Sequence, residues 1–209
     1  HRAKRPHPHL DDKVLAAWNG LMIAAAARAA RVVPGGAPQA TQMAERAAEF
    51  VKDVLWDSTS GVLRRCYRDG QASIDGYCED YAFVIWGLLE LFQSTGKPEW
   101  LVFAKQLQAK QDQLFWDDVE GGWYNTTGED PSVLLRVKDD YDGAEPSAGS
   151  VSALNLLTLS HLDTDADAVR KVEKALARFG LELGQAARVV PLMTAALAQY
   201  HTGLTQVVI

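Results

Sequence analysis

Cysteine is scarce in this chain: two residues in 209, Cys66 and Cys78, with no C-x-x-C pair. That excludes a disulfide framework, and both thiols read as packing groups in a reducing, cytoplasmic setting. No long apolar run is present. The longest, residues 20–27, falls far short of the ~20 residues a membrane span needs, and no basic–apolar–small leader opens the chain. Positive charge is also in deficit. The net charge is −6, so nucleic acid is not an expected partner, and the short basic stretches 2–5 and 64–68 read as solvated surface. G-x-S-x-G, a phosphate-binding glycine loop and H-E-x-x-H are all missing, which removes support for a serine hydrolase, a kinase or a zinc protease. Histidine amounts to five residues. His7-Pro8-His9 has x-His-x-His spacing in an irregular arm, and His161 and His201 fall near helix C-termini, so no metal or cofactor is expected. The chain opens on His1 and not methionine, as a piece or processed product of a longer protein would.

What the sequence does contain is helical periodicity. Apolar residues at 47% and charged residues at 23% describe an ordinary globular protein. Leu15, Trp18, Met22 and Ala25 recur at helical spacing within a segment spanning 11–33, which Pro34-Gly35-Gly36 terminates. Further helices are predicted at 38–55, 76–94, 99–115, 146–161, 165–183 and 189–200. A polar, glycine-rich stretch occupies 117–145, with short strands expected at 122–126 and 133–137. Residues 206–209 read as the start of a following strand.

Helices separated by short Gly/Pro breaks form αα-hairpins, and internal matches support a repeat. Trp56-Asp57 followed by Gly61 matches Trp116-Asp117 followed by Gly121, a shift of 60 residues. Both pairs follow even-numbered helices and lead into short, strand-like excursions. Asp11-Asp12 ahead of Trp18 matches Glu79-Asp80 ahead of Trp86, a shift of 68. One hairpin cannot bury its own apolar face, so neighbours must stack. The more apolar odd helices suit an inner ring, and the more charged even helices an outer one. The expected fold is therefore all-α: an α/α toroid, residues 1–205, forming an incomplete ring of three to four helical hairpins with short β excursions.

In such a ring the inner helices run parallel and their N-termini gather at one end. Asp11, Asp12, Glu79, Asp80 and Glu145 would collect there. Converging carboxylates are what glycoside chemistry requires, one acting as acid and the other as base or nucleophile. Trp18, Tyr77, Tyr81 and Tyr141 could stack on sugar rings. Capping and the helix macrodipole favour the same acids without any chemistry. The segment 138–147 is the most unusual: it holds a lysine and four carboxylates, Asp139, Asp140, Asp142 and Glu145, and leads into a helix with Ser147 as N-cap. It lacks the D-x-D-x-D-G order of a calcium loop.

Arg5-Pro6, Leu10-Asp11-Asp12-Lys13, Trp18-Asn19-Gly20-Leu21-Met22-Ile23, Glu79-Asp80-Tyr81-Ala82-Phe83, Gly121-Gly122-Trp123-Tyr124, Asp142-Gly143-Ala144 with Pro146-Ser147, and the closing Val207-Val208-Ile209 together resemble one family. It is the thioredoxin-domain-containing family of spermatogenesis-associated thioredoxin-like proteins and their bacterial homologues. The resemblance implies an N-terminal thioredoxin-like domain in a longer parent, followed by a toroid of the six-hairpin glycosidase type, of which this chain is the later part. That toroid is also similar to the N-acylglucosamine 2-epimerases, whose chemistry relies on histidines. Here the histidines fall elsewhere, which argues against an epimerase. The family pattern usually has Asn-Ser after Pro-Ser, where this chain has Gly149-Ser150, so a polar pocket group is lost at Gly149.

These readings converge on a carbohydrate-active or sugar-binding toroid, with glycoside hydrolase-like or epimerase-like chemistry. Glu79 and Asp80 are the candidate acid and base. Asp12, Lys13, Trp18, Asn19, Tyr81, Lys138, Asp142 and Glu145 are candidate contacts for a small sugar or related ligand. The alternative is a non-catalytic scaffold that serves the thioredoxin-like domain of the parent. A metal-dependent hydrolase built on the 139–145 loop is less favoured.

Overall fold

A computed structural model describes residues 5, 6, 10–129, 131, 133–163 and 165–205. Its helices are α1 (Ala16–Val32), α2 (Pro38–Phe50), α3 (Cys78–Thr95), α4 (Pro98–Phe115), α5 (Ala148–Asp163), α6 (Ala166–Arg178), α7 (Gly180–Ala186) and α8 (Pro191–Thr202). The strands are β1 (Val14–Leu15), β2 (Trp56–Asp57), β3 (Val62–Arg68) and β4 (Gln71–Asp75). Local chemistry sets most boundaries. Pro38, Pro98 and Pro191 stand in the first turns of α2, α4 and α8, where a missing N–H costs nothing. Gly96 closes α3 in the left-handed conformation at φ 67°. The Asp165 side chain caps α6 by accepting from the Asp167 and Ala168 amides.

Two layers result. α1, α3, α5 and α8 are successive neighbours, while α2, α4 and α6 each pack behind α1, α3 and α5. α3 is the most enclosed, with residues 81–85 fully buried. Its packing on α1 is the most extensive contact in the molecule, and glycine makes it possible. A Cβ on Gly20 would stand 2.4 Å from the Phe83 carbonyl carbon, and one on Gly87 would stand 2.7 Å from the Gly20 oxygen. The two backbones therefore touch, and no other residue fits at Gly20 without separating the helices.

The chain is mostly helical but carries a small sheet. β3 and β4 form an antiparallel hairpin, with β1 paired to β3 at Val14–Tyr67 and Leu15–Cys66, and β2 paired at Trp56–Leu63. Asp69 and Gly70 make the turn with φ of 52° and 80°, the two left-handed positions of a type I′ hairpin.

Four expectations need correction. The first helix begins at Ala16, not residue 11, because Val14 and Leu15 are extended by pairing with β3. Residues 165–183 do not form one helix: the backbone turns at Phe179, giving α6 and α7. Neither 122–126 nor 133–137 forms a strand among the described residues; a single bridge joins Trp116 to Trp123. The arginines of 64–68 are not idle surface, since Arg64, Arg65 and Arg68 each pair with an acid. The strand expected at 206–209 and the His7-Pro8-His9 spacing lie outside the described residues. Among the described residues no helix is long and apolar enough to cross a membrane.

Replacing Gly20 with alanine should lower stability by about 1–3 kcal/mol or more, as overpacking between two backbones does. Gly184→Ala, in α7 with open space around it, should be neutral or slightly stabilising. Urea midpoints of the two variants check this, and equal midpoints would contradict the close α1–α3 contact.

Candidate functional site

The inner helices bring their N-termini to one end of the arc, and named hydrogen bonds record the convergence. Asp80, in the first turn of α3, is fully buried. Its Oδ1 accepts from the Ala17 amide at the start of α1, at 3.1 Å. Its Oδ2 accepts from the Tyr77 amide at 2.9 Å and from Arg65 of β3 at 2.8 Å. One carboxylate therefore ties two helix starts and the hairpin together. Burial raises its pKa to about 6 against the pull of Arg65 and the Tyr77 amide, so it is ionised at neutral pH.

Glu79 is half-buried and takes the same Arg65 at 2.8 Å. Burial opposes the Arg65 charge, but Asp80 and Glu79 together raise its pKa. The guanidinium also lies 4.7 Å from the centre of the Tyr77 ring, and that ring is exposed.

Asp142 repeats the arrangement at the far side. Its Oδ1 accepts from the Ser147 amide just ahead of α5, and its Oδ2 from the Leu192 amide in the first turn of α8, both at 2.8 Å. Ser147 in turn caps α5, its Oγ accepting from the Ser150 amide.

Trp18 and Glu145 meet across this end. The Trp18 indole donates to the Glu145 carboxylate at 2.9 Å, although 127 residues separate them. Trp18 is 57% exposed and Glu145 is exposed, which leaves an aromatic face and a carboxylate open to a ligand.

The remaining candidates are placed differently. Tyr81 is fully buried; its hydroxyl accepts from the Leu63 amide and its ring packs edge-on to Phe115, so it supports the core and cannot present a stacking face. Lys138 is committed to Asp117 at 2.6 Å and to the Gly121 carbonyl at 2.8 Å. Burial disfavours charge on Asp117, yet Lys138, the Val119 and Glu120 amides and Tyr124 hold its carboxyl well below the usual range. Asn19 donates to the Leu15 carbonyl within its own helix. Asp12 pairs with Arg68 at 2.8 Å and Lys13 with Asp11 at 3.3 Å, all ahead of α1 and not in its first turn. Gly149 is buried, with the Phe179 ring 3.6 Å from where a Cβ would sit. The sequence reading missed Arg65, the cation on which Glu79 and Asp80 converge. Its only signal was a basic run on a strand not yet recognised.

The grooves lie elsewhere. One of about 770 Å³ opens on the outer side, lined by Gln108, Asp112 and Trp116 of the α4 end and by Asp165 and Lys171 of α6. A second, about 580 Å³, lies beside Trp56 and Phe103. Neither includes Glu79, Asp80, Trp18 or Glu145. Among the described residues no His, Cys, Asp and Glu side chains group as metal ligands, and burial pushes the Cys78 thiol up, away from thiolate chemistry.

No protein-family model matches the chain. It is homologous along its whole length to spermatogenesis-associated protein 20: the Rattus norvegicus protein is 41% identical over 217 aligned residues, and the chain spans 27% of that relative's length. The fold matches that of cellobiose 2-epimerase from Spirochaeta thermophila, at a TM-score of 0.63 and 16% identity, over 84% of this chain and 44% of the epimerase. It also matches a glycoside hydrolase family 76 α-mannanase of Bacteroides thetaiotaomicron, at a TM-score of 0.62 and 13% identity, over 82% of this chain and 42% of the mannanase. Over the matched residues the chain therefore has the fold of part of an α/α toroid, as these two structures do.

Asp80→Asn should cost about 3–5 kcal/mol of stability, because it strands Arg65 and the Tyr77 amide beside a group that cannot accept from both. A carboxyl held above its unfolded value of ~4 is protonated more readily in the folded state, so its contribution falls as pH rises from ~4 to ~6. The stability gap between wild type and Asp80→Asn should then narrow across that window. Denaturant unfolding at pH 4, 5 and 6 measures it, and a gap that widens would contradict the assignment.

Proposed function

We propose that this homologue of spermatogenesis-associated protein 20 contributes an arc of a sugar-binding α/α toroid, with the ligand held where the inner helices begin. The observation that carries the reading is the Trp18–Glu145 pair. An exposed indole and an exposed carboxylate, brought from α1 and the loop before α5, are fixed on each other at 2.9 Å. Aromatic faces bind the apolar side of a sugar ring, and carboxylates bind its hydroxyls. The fold supports the reading, since the epimerase and the mannanase that share it both act on sugars by their names.

Within this proposal Glu79, half-buried, and Glu145, exposed, take the acid and base roles. Asp80 has both oxygens engaged by Ala17, Tyr77 and Arg65, so it acts by holding Arg65 and Glu79 in place. Asp12, Lys13 and Asn19 stand near the start of α1 and Asp142 ahead of α5, while Tyr81 serves the core and Lys138 is held by Asp117.

A scaffold for a thioredoxin-like domain of a longer parent is the second reading. It is favoured by the use of Asp80 and Asp142 as acceptors for helix amides, a role that needs no ligand.

A thermal-melt panel of mono- and disaccharides on the full-length protein separates the two. A sugar at 100 times its dissociation constant should stabilise by ~2.7 kcal/mol. Trp18→Ala and Glu145→Gln should abolish that shift while leaving the sugar-free melting temperature nearly unchanged, since both side chains are exposed. A silent panel, or a shift that survives Trp18→Ala, contradicts the sugar site and favours the scaffold.

A further inference from the structure

α1 has the composition of a helix that is buried on every side. Its 17 residues include two charges, Arg28 and Arg31, and both reach back to Glu90 of α3. Helices that are apolar all round belong in a protein interior. The outer helix α2, by contrast, carries Glu45, Arg46 and Glu49. Yet only part of α1 is covered. Ala16, Gly20, Ile23 and Ala27 are buried, with Gly20 and Ile23 set against α3. On the opposite face Met22 is 56% and Val32 70% exposed, Ala25 is exposed and Ala29 is half-buried.

Trp18, Met22, Ala25, Ala29 and Val32 follow one another at intervals of four, three, four and three. That is the seam spacing by which one helix packs along another. Ala25 and Ala29 allow close approach in the middle, and Met22 and Val32 supply the ridges at either end. Trp18, at the head of the row, is turned to Glu145. The bare face therefore runs over 22–32, and an uncharged exposed row of this kind marks an interaction surface.

The place of α1 in the arc says what covers that face. α3 packs between α1 and α5, and α5 between α3 and α8. These flanked helices are sealed, with 81–85 of α3 and 148–153 of α5 all buried. α1 has such a neighbour on one side. The matched region is 44% of the epimerase that shares this fold, and the chain spans 27% of the rat relative, so that relative has chain enough for the hairpins this arc lacks. We infer that the 22–32 face of α1 is an interhelical seam, filled in the longer protein by an apolar inner helix from outside these 209 residues. That helix continues the ring past α1. The inference does not depend on a sugar ligand.

The test is alkylation of Met22→Cys, Val32→Cys and Val102→Cys in the full-length protein by a maleimide, followed peptide by peptide with mass spectrometry. Val102, on the outer helix α4, is 54% exposed and serves as the control. At positions 22 and 32 the native rate should fall at least about tenfold below the rate in denaturant, while position 102 stays close to its denatured rate. The protection should persist on dilution, in a protein that light scattering shows to be a monomer. Ala25→Cys, the smallest change on the face, repeats the measurement should either larger substitution disturb the fold. Native rates at positions 22, 25 and 32 that approach the denatured ones overturn the inference. Protection that vanishes on dilution as a dimer separates assigns the face to a second copy and overturns it as well.

Discussion

The Asp80 carboxylate is the interaction on which the rest of the arc depends. A charge removed from water must be met by donors or it destabilises the fold, and this one is met by the start of α1, the start of α3 and the β3 strand. It fixes the height of α1 relative to α3 at one end. Below it, Gly20 and Gly87 let the two backbones touch, so the pair has neither axial nor lateral freedom. The hairpin β3–β4 is held to the same point through Arg65, and β1 anchors the entry to α1 against it. Asp142 applies the same solution to α5 and α8. The arc thus has two clamped pairs of inner helices, each tied at the end they share by a carboxylate that bonds the amides of both members.

Much of the helical frame was legible in sequence because amphipathic spacing and Gly/Pro punctuation are local signals. Pro34-Gly35-Gly36, Gly96-Lys97-Pro98 and the odd–even contrast in polarity all translate directly into the two layers. The failures share a cause. α1 starts late because a tertiary partner, β3, extends Val14 and Leu15. The hairpin itself follows from Asp69-Gly70, a turn signal that the flanking arginines masked by breaking the apolar alternation. Residues 133–137 are a short, mainly apolar run, yet among the described residues no strand pairs with them; the Val137 carbonyl instead accepts from the Asn125 amide.

The candidate site was legible as a location and not as a set of roles. The repeat assigned carboxylates and aromatics to the inner-helix starts; Asp80 and Trp18 stand in the first turns of α3 and α1, while Asp11 and Asp12 precede α1. Only the packed structure shows which are consumed by the fold. Asp80 is spent on two amides and Arg65, Asp142 on two amides and Lys138 on Asp117 and the Gly121 carbonyl, and Tyr81 is sealed against Phe115. Trp18 and Glu145 are left open, and no sequence pattern links residues that far apart. Burial divides groups that serve the frame from groups that remain available to a ligand, a distinction absent from composition and spacing.

The placement of the ligand is the central claim, and a crystal structure of the full-length protein grown with a neutral hexose addresses it most directly. The account predicts density for the sugar against the Trp18 ring, within hydrogen-bond distance of Glu145, with the Asp80 and Asp142 contacts to Ala17 and Leu192 intact. Sugar bound instead in the outer groove between Trp116 and Lys171, with the Trp18–Glu145 end empty, would contradict it.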